Sequence, residues 1–79
     1  MDCKEKIGLR IKELRELKNM TQKDLAYTSD LDRSYIASVE SGQRNISIVN
    51  IEKIANSLKV SLKDFFDHSN FENFMDMNL

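Results

Sequence analysis

Residues 21–42, TQKDLAYTSDLDRSYIASVESG, decide the fold of this 79-residue chain. Thr21, with Asp24 at the third helical position, forms a capping-box pattern that starts a helix, although Glu is the more usual partner. We therefore expect a helix of about two turns from Gln22 to Tyr27. Its start is the best-marked helix boundary in this stretch, so it fixes how the rest is divided.

A second short helix follows within the same stretch. The polar turn 28–31 separates the two helices, and Asp32 is placed to cap the second one. Apolar residues at helical spacing follow, and Gly42 stands just past the end, where glycine is the preferred residue. Two short helices joined by a tight turn form a helix-turn-helix motif. The turn lacks glycine, so Ser29 or Asp30 must take its sharp bend.

The segments on either side of this motif also have helical periodicity. Before it, apolar residues spaced three and four apart predict one buried helix face, made of Ile7, Ile11, Leu14 and Leu17. After it, Ser47 is placed to cap a fourth helix with an isoleucine-rich stripe, and Ser61 a fifth that runs through Phe66. The chain has no proline and only two glycines, which also favours helices.

The predicted fold is therefore all-α, a compact five-helix domain that contains a helix-turn-helix. A chain of this length holds one core, so we expect a single domain over 1–79, with its core at about 6–66 and a tail at 67–79. The apolar residues of the tail are spaced to form a short extra C-terminal helix or a dimer contact: Phe71, Phe74, Met75 and Met77.

Composition excludes several classes of function. Cys3 is the only cysteine, so no intramolecular disulfide or cysteine-based zinc site is expected, and His68 has no partner ligands nearby in sequence. The sequence contains no nucleophile–base pair, no phosphate-binding glycine loop and no metal-ligand spacing. We therefore expect no enzymatic activity, no cofactor and no small-molecule ligand. No apolar run approaches the roughly 20 residues that cross a bilayer. We expect a cytoplasmic protein.

Two segments, Thr21-Gln22-x-x-Leu25-Ala26 and Ser34-Tyr35-Ile36-x-x-x-Glu40-x-Gly42, resemble the phage repressor and Cro family of helix-turn-helix proteins. The resemblance extends over about residues 6–66. Residues 31–36 and 44–47, with Glu40, look most like the controller proteins of restriction–modification systems, which are dimeric regulators of their own promoter and of endonuclease expression. The resemblance implies a sequence-specific DNA-binding regulator that is bacterial and nucleoid-associated. A phage-type repressor and an antitoxin-like protein-interaction module of the same fold are the alternatives.

Together, the resemblance and the groove dimensions place the second helix of the motif, expected from Arg33 to Ser41, in the major groove. Its first residues would reach base edges, and polar residues around it would bind phosphates. The expected DNA contacts are Gln22, Lys23, Arg33, Ser34, Tyr35, Ser38, Arg44 and Asn45. Tyr27 is expected to pack against the protein. The resemblance also implies a structural ion pair between Arg10 and Glu40.

A homodimer is expected because one reading helix contacts only a few base pairs. The fourth and fifth helices carry more apolar surface than a small domain easily buries, and the resembling family forms its two-fold interface there. The expected interface residues are Ile46, Ile48, Val49, Ile51, Val60, Phe65 and Phe66. The expected partners are double-stranded DNA, a second copy and, for an activator, RNA polymerase. With 12 basic and 13 acidic residues, attraction to DNA must come from a local positive face.

Overall fold

The computed structural model describes residues 1–72, and all regular structure in that range is helical. The five expected helices are present and are named in chain order: α1 (Cys3–Leu17), α2 (Gln22–Ser29), α3 (Arg33–Glu40), α4 (Ile48–Ser57) and α5 (Leu62–Phe65). A 3-10 helix, Ser69–Phe71, begins the tail. The predictions for Phe74, Met75 and Met77 lie outside the described residues. Within residues 1–72 no helix is long and apolar enough to span a membrane.

Reciprocal capping fixes the starts of α1 and α2. At α2 the amide of Asp24 donates to the Thr21 hydroxyl (3.0 Å), and the amide of Thr21 donates to the Asp24 carboxylate (2.9 Å), as predicted. This backbone hydrogen bond from Thr21 lowers the pKa of Asp24. Asp2 and Glu5 form the same arrangement at α1. The sequence analysis did not identify this box, which starts α1 at Cys3, ahead of the first residue of its buried apolar face, Ile7.

The turn between α2 and α3 bends at Asp30, which has a left-handed backbone conformation with φ 59°. The prediction that Ser29 or Asp30 takes the bend is confirmed, and aspartate tolerates this conformation better than most residues. Asp32 precedes α3 but accepts no capping hydrogen bond, so its predicted side-chain cap is wrong. The bend sets the angle between α2 and α3.

The core forms where α1 and α2 pack against α3, and α4 packs against α2. Its fully buried side chains come from all five helices and from Leu58, the residue that follows α4. The helical ones are Ile11, Leu25, Ile36, Val39, Ile54 and Phe65. The prediction that Leu17 is buried is wrong, because its side chain is 70% exposed. At 3.6 residues per turn Leu17 lies about 90° around α1 from the face formed by the three preceding apolar residues.

Gly8 allows α1 to approach α3 closely. A Cβ atom at this position would lie 2.3 Å from the carbonyl oxygen of Val39 and 2.7 Å from that of Glu40. Both atoms belong to the backbone at the C-terminal end of α3, so they cannot rotate away. Because Gly8 has no Cβ, the C-terminal end of α3 can lie directly against α1.

Candidate DNA-binding surface

The first residues of α3 are exposed next to the N-terminus of α2. Arg33 and Ser34 are exposed, as is Lys23 at the second position of α2. Gln22, Lys23 and Arg33 line one open depression between these two helix starts. The unpaired amides of the α2 N-terminus add a partial positive charge there. One exposed carboxylate, that of Glu16, also lines the depression, but the charges of Lys23 and Arg33 outweigh it. The depression is thus suited to bind an anion, although the whole chain carries a net charge of −1.

A second depression lies beside α3, where it faces α4. Ser34, Tyr35 and Arg44 line it together with Asn50, a residue that the sequence analysis did not single out. The guanidinium carbon of Arg44 lies 4.9 Å from the centroid of the Tyr35 ring, which is a cation–π distance. Nδ2 of Asn50 donates to the Tyr35 hydroxyl oxygen at 3.0 Å. Tyr35 is therefore half-buried and held from two sides.

Two other predicted contact residues differ in their availability. Ser38 is half-buried, and its hydroxyl donates to the Tyr35 carbonyl oxygen at 2.9 Å within α3. Asn45 is exposed in the link between α3 and α4. Tyr27 was expected to pack against the protein, and that prediction is wrong because it is 87% exposed. The inward face of this last turn of α2 is occupied by the buried Ser29, so the Tyr27 side chain points to solvent.

A buried ion pair lies behind the first depression, and its arginine is Arg15, not Arg10. Nε and Nη2 of Arg15 donate to the two Glu40 carboxylate oxygens at 2.7 Å and 3.0 Å, and Nη1 donates to the Met20 carbonyl oxygen at 2.8 Å. The Arg15 and Glu40 side chains are 11% and 4% exposed. Hydrogen bonding to Glu40 raises the pKa of Arg15 above its already high ordinary value. The predicted Arg10–Glu40 pair is therefore wrong.

Gln22 is part of the same network. Its Nε2 donates to a Glu40 carboxylate oxygen at 3.1 Å, so the carboxylate fixes the orientation of the amide. An amide nitrogen has two N–H groups, and the second remains for another acceptor. Glu40 thus connects the core of the domain to the first residue of α2.

Arg10 instead joins α1 to the end of α5. Its Nε donates to the Phe65 carbonyl oxygen at 2.7 Å, and its Nη2 donates to the Asp64 carbonyl oxygen at 2.8 Å. Arg10 also pairs with Glu13, and this hydrogen bond lowers the pKa of Glu13. His68 lies 3.4 Å from the other Glu13 oxygen, which brings the start of the tail against α1. Arg10 does not pair with Glu40, because its guanidinium is bound to carbonyl oxygens at the C-terminal end of α5.

The predicted dimer residues fall into three groups. Ile48 and Val49 at the start of α4 are 64% and 58% exposed. Three residues are half-buried against the core: Ile46, Val60 and Phe66. Ile51 and Phe65 are buried in the core, so their assignment to a partner-facing surface is wrong. They point inward because they occupy the core side of α4 and α5, which a partner chain cannot reach.

Comparison with known proteins agrees with this geometry. The helix-turn-helix family model matches residues 11–65. Control protein C.MunI from Mycoplasma sp is 42% identical over 82% of this chain and 89% of its own length. The controller protein C.AhdI from Aeromonas hydrophila is 48% identical, with a TM-score of 0.77 over 80% of this chain and 96% of that one.

A third relative was solved with DNA. The C.Esp1396I tetramer in complex with its natural 35 base-pair operator is 45% identical, with a TM-score of 0.78 over 81% of this chain and 84% of that one. The chain belongs to the helix-turn-helix family and, within it, to the controller proteins of restriction–modification systems.

Proposed function

We propose that this chain is a sequence-specific DNA-binding transcriptional regulator that acts as a homodimer on an inverted-repeat operator. As a restriction–modification controller it would regulate its own promoter and that of the endonuclease, in the bacterial cytoplasm. The observation that carries the proposal is the exposure of Arg33 and Ser34 at the start of α3, beside the positive end of α2. The relative solved on its natural operator supports the same activity.

Base reading falls mainly to Arg33. Its guanidinium can donate two hydrogen bonds to guanine O6 and N7, an interaction that discriminates by roughly 1–3 kcal/mol against other bases. Ser34 is short and exposed, so it suits either a base edge or a phosphate. The exposed first turn of α3 is the part of a recognition helix that enters the groove in this motif.

Gln22 and Lys23 bind the phosphate backbone in this proposal. The Gln22 amide is held by Glu40, and its second N–H can donate to a phosphate oxygen beside the α2 N-terminus. Arg44 and Asn45, on the other side of α3, are exposed for the same purpose. These contacts set the register of α3 on the duplex without themselves reading sequence.

Dimerisation would involve the exposed start of α4. Ile48 and Val49 are adjacent, apolar and more than half exposed, which is costly in a monomer in water. A two-fold pair of such surfaces would hold two α3 helices against half-sites about 34 Å apart. The position of the operator relative to a promoter would decide between repression and activation, and RNA polymerase would be the further partner of an activating dimer.

Selection of bound duplexes from random DNA, at two salt concentrations, tests this function. The wild type is expected to enrich an inverted repeat, and Arg33→Ala to lose preference at one base pair per half-site. Lys63→Ala, which removes an exposed positive charge on α5, is the matched control and should keep the preference. Equal binding to all sequences that falls steeply with salt would mean phosphate contacts alone and would refute sequence-specific reading.

A further inference from the structure

The hydroxyl of Tyr35 is held in one particular hydrogen-bonding direction. Asn50 on α4 donates its amide N–H to the phenol oxygen, and Arg44 lies over the ring. Asn50 is itself held at the first turn of α4, where its backbone amide donates to the Ser47 hydroxyl at 3.1 Å. The ring therefore has contacts at its face and at its oxygen, and both come from outside α3.

This arrangement determines where the proton of the hydroxyl can go. A phenol oxygen that accepts a hydrogen bond from an amide keeps its own proton for a different acceptor. Within residues 1–72 the Tyr35 hydroxyl donates to no protein acceptor, whereas both Ser38 and Asn50 make defined hydrogen bonds to this residue. Tyr35 lines an open depression together with the exposed residues Asp30, Asp32 and Ser34. Neither carboxylate accepts a hydrogen bond from the Tyr35 hydroxyl, so its proton is available on the side of Ser34.

We infer that Asn50 is a specificity-determining residue, which makes the Tyr35 hydroxyl a hydrogen-bond donor toward the DNA. In the major groove guanine presents N7 and O6, and thymine presents O4, all of which are acceptors. Cytosine presents only its amino group, which is a donor. Adenine presents its amino donor beside the N7 acceptor, so a donor hydroxyl discriminates between bases at the exocyclic group. Tyr35 then favours a keto base at the position it contacts and rejects cytosine most strongly.

This role depends on the proposed DNA binding and extends it to a residue on a different helix. Asn50 is a positioning residue, because it acts on the DNA only through Tyr35. It follows Ile48 and Val49 on α4, so the helix proposed to form the dimer interface also sets the chemistry of one reading side chain.

Base preferences of four variants test the inference, each measured on the selected operator with every base pair substituted in turn. Tyr35→Phe keeps the ring and removes the hydroxyl, so it should lower the preference at one position per half-site by about threefold to tenfold. Asn50→Ala should weaken the preference at that same position, because the hydroxyl is then free to rotate. These two variants identify the base pair concerned.

Asn50→Asp provides the sharper measurement. A carboxylate can only accept hydrogen bonds, so the introduced side chain accepts one from the Tyr35 hydroxyl. The phenol oxygen then faces the DNA as an acceptor only. The preference at the Tyr35 position should then reverse, from a keto to an amino base on one strand and the opposite on the other. Asn56→Asp adds the same charge to an exposed site on α4 and should leave all base preferences unchanged.

The outcomes separate this inference from the proposed function. If the wild type selects an operator but Asn50→Asp keeps the wild-type base preference, or Tyr35→Phe alters no position, Asn50 has no such role and the DNA-binding function stands. A wild type without sequence preference overturns both. If circular dichroism finds Asn50→Asp unfolded, the Asn50→Ala/Tyr35→Phe double variant replaces it. The double variant should lose as much base preference at the Tyr35 position as Tyr35→Phe alone. Additive losses of preference would contradict the inference.

Discussion

Replacing Arg15 with methionine should destabilise the protein far more than the same change at Arg10. Both side chains are mostly buried, at 11% exposure, and both substitutions remove one positive charge from α1. Arg15→Met leaves the carboxylate of Glu40, which is 4% exposed, without its charged partner. Breaking a buried pair by removing one member costs about 3–5 kcal/mol.

The loss of stability on replacing Arg10 is smaller because the partners of Arg10 are partly exposed and can hydrogen-bond to water. Arg10→Met removes hydrogen bonds to two carbonyl oxygens at the end of α5 and frees Glu13, whose side chain is 44% exposed. A loss of about 1–2 kcal/mol is expected from such partly solvated hydrogen bonds. The two variants should therefore differ by about 2–3 kcal/mol in the free energy of unfolding.

Urea unfolding followed by far-UV circular dichroism measures this difference, at one protein concentration because dimerisation affects apparent stability. The double variant Arg15→Met/Glu40→Met should recover most of the loss of Arg15→Met, since two apolar side chains can replace a buried ion pair. Equal losses at Arg10 and Arg15, or a double variant less stable than Arg15→Met, would refute the assignment of the pair.

Three further predictions concern packing, assembly and pH. Gly8→Ala should lower the free energy of unfolding, because overpacking against the α3 carbonyls costs about 1–3 kcal/mol and alanine regains only about 1 kcal/mol in helix propensity; a more stable variant would contradict the close approach. Val49→Asp should sediment as a monomer while Asn56→Asp remains dimeric, and a dimeric Val49→Asp would rule out that interface. Because the pKa of Asp24 lies below its ordinary value of 3.8, its capping contribution is complete above that pH and is lost as the pH falls through the lower folded value. The stability difference between wild type and Asp24→Asn should thus disappear once the pH is low enough to protonate Asp24 in the folded protein, and a difference that persists there would contradict the assigned cause.

Local sequence patterns predicted most of the fold. The capping pair of Thr21 and Asp24, and Gly42 after α3, act within a few residues, so the helix boundaries could be inferred without tertiary contacts. The box at Asp2 and Glu5 has the same form but was not predicted, because the buried apolar face of α1 begins only at Ile7 and leaves the first turn without an apolar pattern. Leu17 was misplaced because a spacing of three tolerates a large rotation about the helix axis.

Contacts between helices were harder to predict. The arginine that reaches Glu40 depends on how α1 crosses α3, and only Gly8 carries a signal of that crossing. Gly8 lies seven residues before Arg15 on the same line of α1, so it marks the side on which α3 approaches. The Asn50–Tyr35 hydrogen bond joins residues 15 positions apart and has no local pattern at all. Burial of Ile51 and Phe65 likewise follows from packing, since an apolar residue suits a core and an interface equally.

Comparing the full operator with an isolated half-site tests the central claim most directly. Equilibrium titration of the wild type should give much tighter binding to the inverted repeat than to a duplex with one half-site, and Val49→Asp should bind both duplexes with similar, weak affinity. That result would establish that two chains, joined through α4, read the DNA together. Equal affinity of the wild type for the two duplexes would contradict dimeric reading by paired α3 helices.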